Sequence, residues 1–186
     1  MRGRIAAAAA LLGPVLAGCS MLPVDLPSAG DLPNLGPTTV APGATTCSHG
    51  VQYNLTAAGD YTLSGNCDLV SVTGDGIKVT SPDGFGALTI DGGDNSVEAR
   101  DTGAVTVKGD DNAVTVGTLG LLTIEGKGNA TTATKIGMAT LSGDSNTVDG
   151  GDNLGAVTVT GNSNTVTAGT IGSITDNGTG NTITQG

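Results

Sequence analysis

Six asparagines recur at a nearly constant interval in the second half of this chain: Asn95, Asn112, Asn129, Asn146, Asn164 and Asn181, with gaps of 17, 17, 17, 18 and 17 residues. A glycine stands three residues before each one (Gly92, Gly109, Gly126, Gly143, Gly161, Gly178) and a threonine six residues before (Thr89, Thr106, Thr123, Thr140, Thr158, Thr175). Three unbroken columns at one short period identify a repeat architecture, in which each unit buries its apolar side only against its neighbours.

The residues between the columns say what kind of unit this is. Five and seven positions before the asparagine the residues are mostly aliphatic, as in Leu88 and Ile90, Val105 and Val107, Leu122 and Ile124. The threonine between them faces the opposite way, because side chains alternate along a strand. Gly-x-x-Asn then reads as a short turn, with glycine and asparagine supplying its special backbone angles. A second alternating piece follows, with Val97, Val114, Val148, Val166 and Ile183 two residues after the asparagine. A third carries Leu119, Ile136, Leu154 and Ile171, next to a further glycine column at Gly103, Gly120, Gly137, Gly155 and Gly172. No window has an apolar stripe at helical spacing, so helices are not expected.

Such a period fits either a three-sided lap of a parallel β-helix or the hairpins of an antiparallel meander. Only stacked laps bring like residues onto like residues at about 4.8 Å, where ladders of one residue type satisfy each other. The expectation is therefore an all-β parallel β-helix of six to seven coils, roughly 17 residues each. The single 18-residue interval holds Asp149-Gly150-Gly151-Asp152-Asn153, where one extra residue can bulge outward.

Upstream, Thr62, Leu63, Gly65, Asp68 and Val70 match the template with aspartate in place of asparagine, which leaves about ten residues near Gly74–Gly84 outside the period. Residues 47–64 read as an N-terminal cap and 65–186 as the solenoid. At the far end Asp176 takes an otherwise aliphatic slot, as a guard against end-to-end stacking.

The chain opens with Arg2 and Arg4, an apolar run from Ile5 to Leu16, and Leu16-Ala17-Gly18-Cys19. The run is short for a bilayer span and suits a secretory signal over residues 1–18. The tetrad resembles the lipobox of bacterial lipoproteins, which implies acyl chains (palmitate among them) on Cys19 and anchoring to the extracytoplasmic face of the cell membrane. Residues 19–46 contain five of the seven prolines and read as a lipidated spacer without ladder or helix. Without Arg2 and Arg4 the chain has 17 acidic against 5 basic residues, a formal charge of −12. That balance excludes a nucleic-acid partner, because no basic stripe exists to neutralise phosphates. Cys47 and Cys67 remain as a pair, most simply a disulfide in an oxidising compartment.

The lipobox, the proline-rich spacer and units such as Val157-Thr-Val-Thr-Gly-Asn-Ser-Asn-Thr-Val-Thr-Ala together resemble secreted actinobacterial, chiefly mycobacterial, proteins grouped as domain of unknown function 3060. The resemblance spans roughly residues 60–186. It implies an envelope location and a β-rich repeat fold, and it brings no catalytic motif.

Chemistry is sparse. His49, the only histidine, lies two residues from Cys47, but that cysteine has a better use in the disulfide. The carboxylates sit in turns, where aspartate bonds the local backbone. Asp91 to Asn95, Asp110 to Asn112 and Asp149 to Asn153 could line up oxygen ligands for calcium, yet Lys127-Gly128 and Ser163 interrupt the column. Thr165-Val166-Thr167 and Thr182-Ile183-Thr184 look like the flat rows of ice-binding solenoids, but Glu98 and Asp149 break the rows upstream. No catalytic residue, metal site or cofactor is expected. The expected function is a non-catalytic structural or interaction module of the cell envelope, binding a glycan or a protein along one ladder face. The alternatives are a small carbohydrate-active β-helix enzyme and a calcium-binding surface repeat.

Overall fold

The computed structural model describes residues 36–186. All its strand pairings are parallel, and they join 16 strands into one continuous sheet wound into a solenoid. No described residue is in an α-helix. Lipidation of Cys19, the signal at 1–18 and most of the spacer lie outside the described residues.

Two stacks of strands carry the fold. The first contains Thr38–Val40, Gln52–Leu55, Leu69–Val72, Phe85–Ile90 and Thr102–Val107, then the later halves of Ala113–Ile124 and Ala130–Leu141, then Asn153–Val159 and Thr170–Asp176. The second contains Gly43–Cys47, Gly59–Gly65, Ile77–Ser81 and Ser96–Ala99, the earlier halves of the two long strands, then Thr147–Asp149, Thr165–Ala168 and Thr182–Gln185. A third inward piece, with Leu119, Ile136, Leu154 and Ile171 buried, completes each lap. Its corner with the first stack is the glycine column from Gly103 to Gly172. A Cβ there would collide with the carbonyl oxygen of the glycine one lap below, so the chain can bend closely only with glycine.

The core is a set of columns. One runs Val40, Leu55, Val72, Ile90, Val107, Ile124, Leu141, Val159, Asp176, which gives nine laps. That exceeds the six to seven expected, for two reasons. First, parallel laps begin ahead of residue 65: Thr38–Val40 and Gly43–Cys47, and within the stretch 47–64 expected to cap the solenoid Gln52–Leu55 and Gly59–Gly65, pair in parallel with the next lap. Pro37 and Pro42 sit just outside the first two of these strands, so neither removes a ladder donor. Second, the segment near Gly74–Gly84 is no insertion. Ile77–Ser81 is a full member of the second stack with an 18-residue spacing to each neighbour. The upstream register also changes. Asp68 stacks in the glycine-corner column below Gly86, while Ser71 and Asn54 continue the threonine column. The asparagine slot of that lap is filled by Ile77, whose N–H donates to Asn95 Oδ1 at 2.8 Å.

The 18-residue interval behaves as expected. The offset is 17 at Thr132 and Asp149 but 18 at Lys135 and Asn153. The extra residue is taken up around Gly151, which has φ 53°.

One core column carries a polar intruder. Thr131 stacks between Val114 and Val148, is 1% exposed, and its hydroxyl has no hydrogen-bond partner. An unpaired buried hydroxyl costs about 1–3 kcal/mol. Thr131→Val keeps the shape and removes that cost, so chemical denaturation is expected to show a gain of about 1 kcal/mol. A loss of stability would mean that the hydroxyl is paired after all.

Candidate functional site

The turn between the two stacks is where the asparagines act. Asn129 Oδ1 accepts from Asn112 N–H at 2.9 Å and from Asn112 Nδ2 at 3.1 Å, and Asn129 Nδ2 donates to Gly109 O at 2.9 Å. Each side chain therefore closes the Gly-x-x-Asn turn of the lap before it, tying both of its ends. The pattern repeats at Asn112, Asn146, Asn164 and Asn181. Asn95, Asn112, Asn129, Asn146 and Asn164 are each about 1% exposed or less, so no ligand reaches them. The predicted ladder is structural.

The backbone angles are assigned differently from the sequence expectation. Neither the turn glycine nor the asparagine takes a positive φ. That role falls to the residue just before the asparagine: Asp94, Asp111, Gly128, Ser145, Ser163 and Gly180, with φ of 56–68°. Aspartate and glycine, which tolerate this region best, fill four of these six positions and serine the other two. The turn glycine is needed for a different reason, because a Cβ on Gly109, Gly126, Gly143, Gly161 or Gly178 would overlap the carbonyl oxygen of the glycine below.

Several turn carboxylates have partners within the fold. Asp75, Asp110 and Asp144 each accept the N–H of the equivalent residue one lap on, at 2.7, 2.8 and 2.6 Å. Asp101 likewise accepts from Thr118 N–H one lap on, whereas Asp83 accepts from Gly65 N–H one lap back. Asp176 accepts from Gly178 N–H and Asn181 Nδ2, so it finishes the last described turn. Among the described residues no three His, Cys, Asp or Glu side chains gather as a metal-binding group.

Cys47 and Cys67 form a disulfide, with Cα atoms 5.0 Å apart. Cys47 is therefore no thiolate partner for His49. The histidine lies instead 2.7 Å from an Asp68 oxygen, with its side chain 85% exposed. The bridge closes a separation of 20 residues across the first laps. Its reduction is expected to cost about 3 kcal/mol on the loop-entropy argument. Urea unfolding with and without reductant measures this, and a difference below about 1 kcal/mol would show that neighbouring laps hold these strands without it.

What the sequence did not disclose is the outer surface of the first stack. Two columns point outward there. One is the threonine column, Thr89 to Thr175, continued upstream by Ser71 and Asn54. The other runs Gln52, Leu69, Ala87, Ala104, Leu121, Met138, Ala156, Ser173. No member of either is charged, in a chain with 17 acidic residues. Leu69, Leu121 and Met138 stand 48, 41 and 51% exposed, the last two beside corner glycines that have no side chains to shield them. By contrast, the outer columns of the second stack include Asp60, Lys78, Glu98 and Asp149. The threonine face is thus flat, uncharged and partly apolar, the features of a contact surface on an acidic molecule.

Comparison with curated proteins found no match, and comparison with solved structures found none. The pattern of one family, described as "Protein of unknown function (DUF3060)", matches residues 107–154 and again 141–186. That is narrower than the stretch the sequence reading assigned to the resemblance. It covers five of the six column asparagines, Asn112 to Asn181, and this part of the chain is similar to a domain family of unknown function.

Proposed function

We propose that this chain is an exported lipoprotein, anchored through Cys19, whose solenoid serves as a non-catalytic structural or interaction module of the cell envelope. The observation that carries the reading is the uncharged threonine face, continuous over the stack, on an otherwise acidic surface. Its hydroxyls and aliphatic groups suit a neutral partner, whether an envelope glycan or a protein, and repel nothing by charge. Polar groups that could do chemistry are engaged elsewhere: Cys47 in the disulfide, and Asp75, Asp110 and Asp144 with backbone amides. Anchoring is tested by metabolic labelling with a fatty acid, which Cys19→Ala should abolish together with membrane retention. Surface recognition is tested by pull-down of envelope fractions with the wild-type chain and with Leu121→Lys. Capture that the substitution weakens supports the reading. Turnover of an envelope polysaccharide by the purified protein would replace it with the enzymatic one.

A further inference from the structure

We propose that a second copy of this chain covers the threonine face, packed with its laps running in the opposite order. The inference rests on the reading of that face as the contact surface and names what occupies it.

The argument begins with relief. Along the outer aliphatic column, large and small residues are not scattered. A two-fold axis parallel to the strands, placed between the laps of Ala104 and Leu121, keeps each column opposite its own copy and reverses the order of laps. Leu121 then faces Ala104, Met138 faces Ala87, and Leu69 faces Ala156. Every protruding side chain meets an alanine, and polar Gln52 meets polar Ser173 at the two ends. The column is its own complement about its midpoint, the self-matching that a two-fold contact requires. A copy running the same way would set bulky laps against bulky laps and leave a gap at Ala87 and Ala104, which close packing disfavours.

Charge follows the same symmetry. Lys108 and Glu125 are the exposed residues directly after Val107 and Ile124, at the rim of the face and one lap apart. The same axis sets Lys108 of each copy opposite Glu125 of the other, twice over. Within the face no charge meets a like charge, whereas two acidic molecules meeting elsewhere repel.

Size fixes the strength. Eight laps at about 4.8 Å by four residues at about 3.3 Å cover roughly 500 Å² a side, so about 1,000 Å² in total, the lower bound for a specific contact. Contacts of that size belong to weak, transient complexes, so a Kd in about the micromolar range is expected.

Sedimentation of the purified protein from roughly 1 µM to 200 µM tests this. A dimer should appear within that range and be lost in Leu121→Lys. Lys108→Glu and Glu125→Lys should each raise Kd about tenfold or more, and the double exchange should restore it. All three positions are exposed in the single copy, and circular dichroism confirms that the variants fold. A chain that stays monomeric throughout overturns the inference, as does a dimer indifferent to the charge exchange. A monomer that still captures envelope material in a Leu121-dependent way sinks the dimer and leaves the contact-surface reading standing. A monomer that captures nothing removes both.

Discussion

Asn129→Ala is expected to lower the unfolding free energy by about 4 kcal/mol, among the largest effects of any single side-chain truncation here. The substitution removes the partners of the buried Asn112 N–H and of the half-buried Gly109 O, and also deprives Asn112 Nδ2 of one of its two acceptors. Each such group costs about 1–3 kcal/mol when left unpaired in a dry interior. Asn95 provides the internal control. Its Nδ2 has no partner although it is buried, and its Oδ1 serves only Ile77 N–H. Asn95→Ala should therefore cost about half as much. Urea unfolding of both variants decides the point, and equal costs would show that the ladder bonds are not what sets the stability of the turn.

Gly143→Ala should be worse still. A methyl group at that position overlaps Gly126 O and comes within 2.8 Å of Glu125 O. Both obstacles are backbone, so no rotamer change relieves them. The laps would have to move apart, breaking the bond from Asn164 Nδ2 to Gly143 O and the strand pairing beside it. We expect a loss above about 4 kcal/mol, or no folded protein at 37 °C. Gly180→Ala separates the two uses of glycine. It occupies the positive-φ slot with its nearest foreign atom 3.7 Å away, so only the backbone preference is lost. That is worth about 1 kcal/mol. If Gly143→Ala were as mild as Gly180→Ala, the close approach of successive turns would be wrong.

The periodic half of the fold was legible because each column answers a local physical demand. Asparagine is the side chain that offers both an acceptor and a donor to the turn below, and glycine is the only residue that fits over a carbonyl. The first laps are hard to read because they meet the same geometry without those columns. Ile77 stands where asparagine is expected, and Tyr53, Tyr61 and Phe85 fill the core in place of small aliphatics. With no asparagine to fix the register, Asp68 was the nearest substitute and shifted the alignment onto the wrong corner. The positive-φ position escaped notice because aspartate, serine and glycine share it. The threonine face is hidden for a related reason: the template sends Leu122 inward and Leu121 outward, but Leu69, Ala87, Ala104, Leu121 and Met138 share no single residue type, and only the strand register lines them up as one column.

The asparagine ladder also has a direction. Each turn from Asn95 to Asn164 has its asparagine N–H taken by the asparagine one lap later in the sequence, and no asparagine serves a later lap in this way. A chain delivered amino end first would thus leave only its newest turn incomplete at any moment, while all earlier ones are sealed. Growth by addition at the carboxyl side is self-completing, and deletion of an internal period simply hands the sealing task to the next one in line.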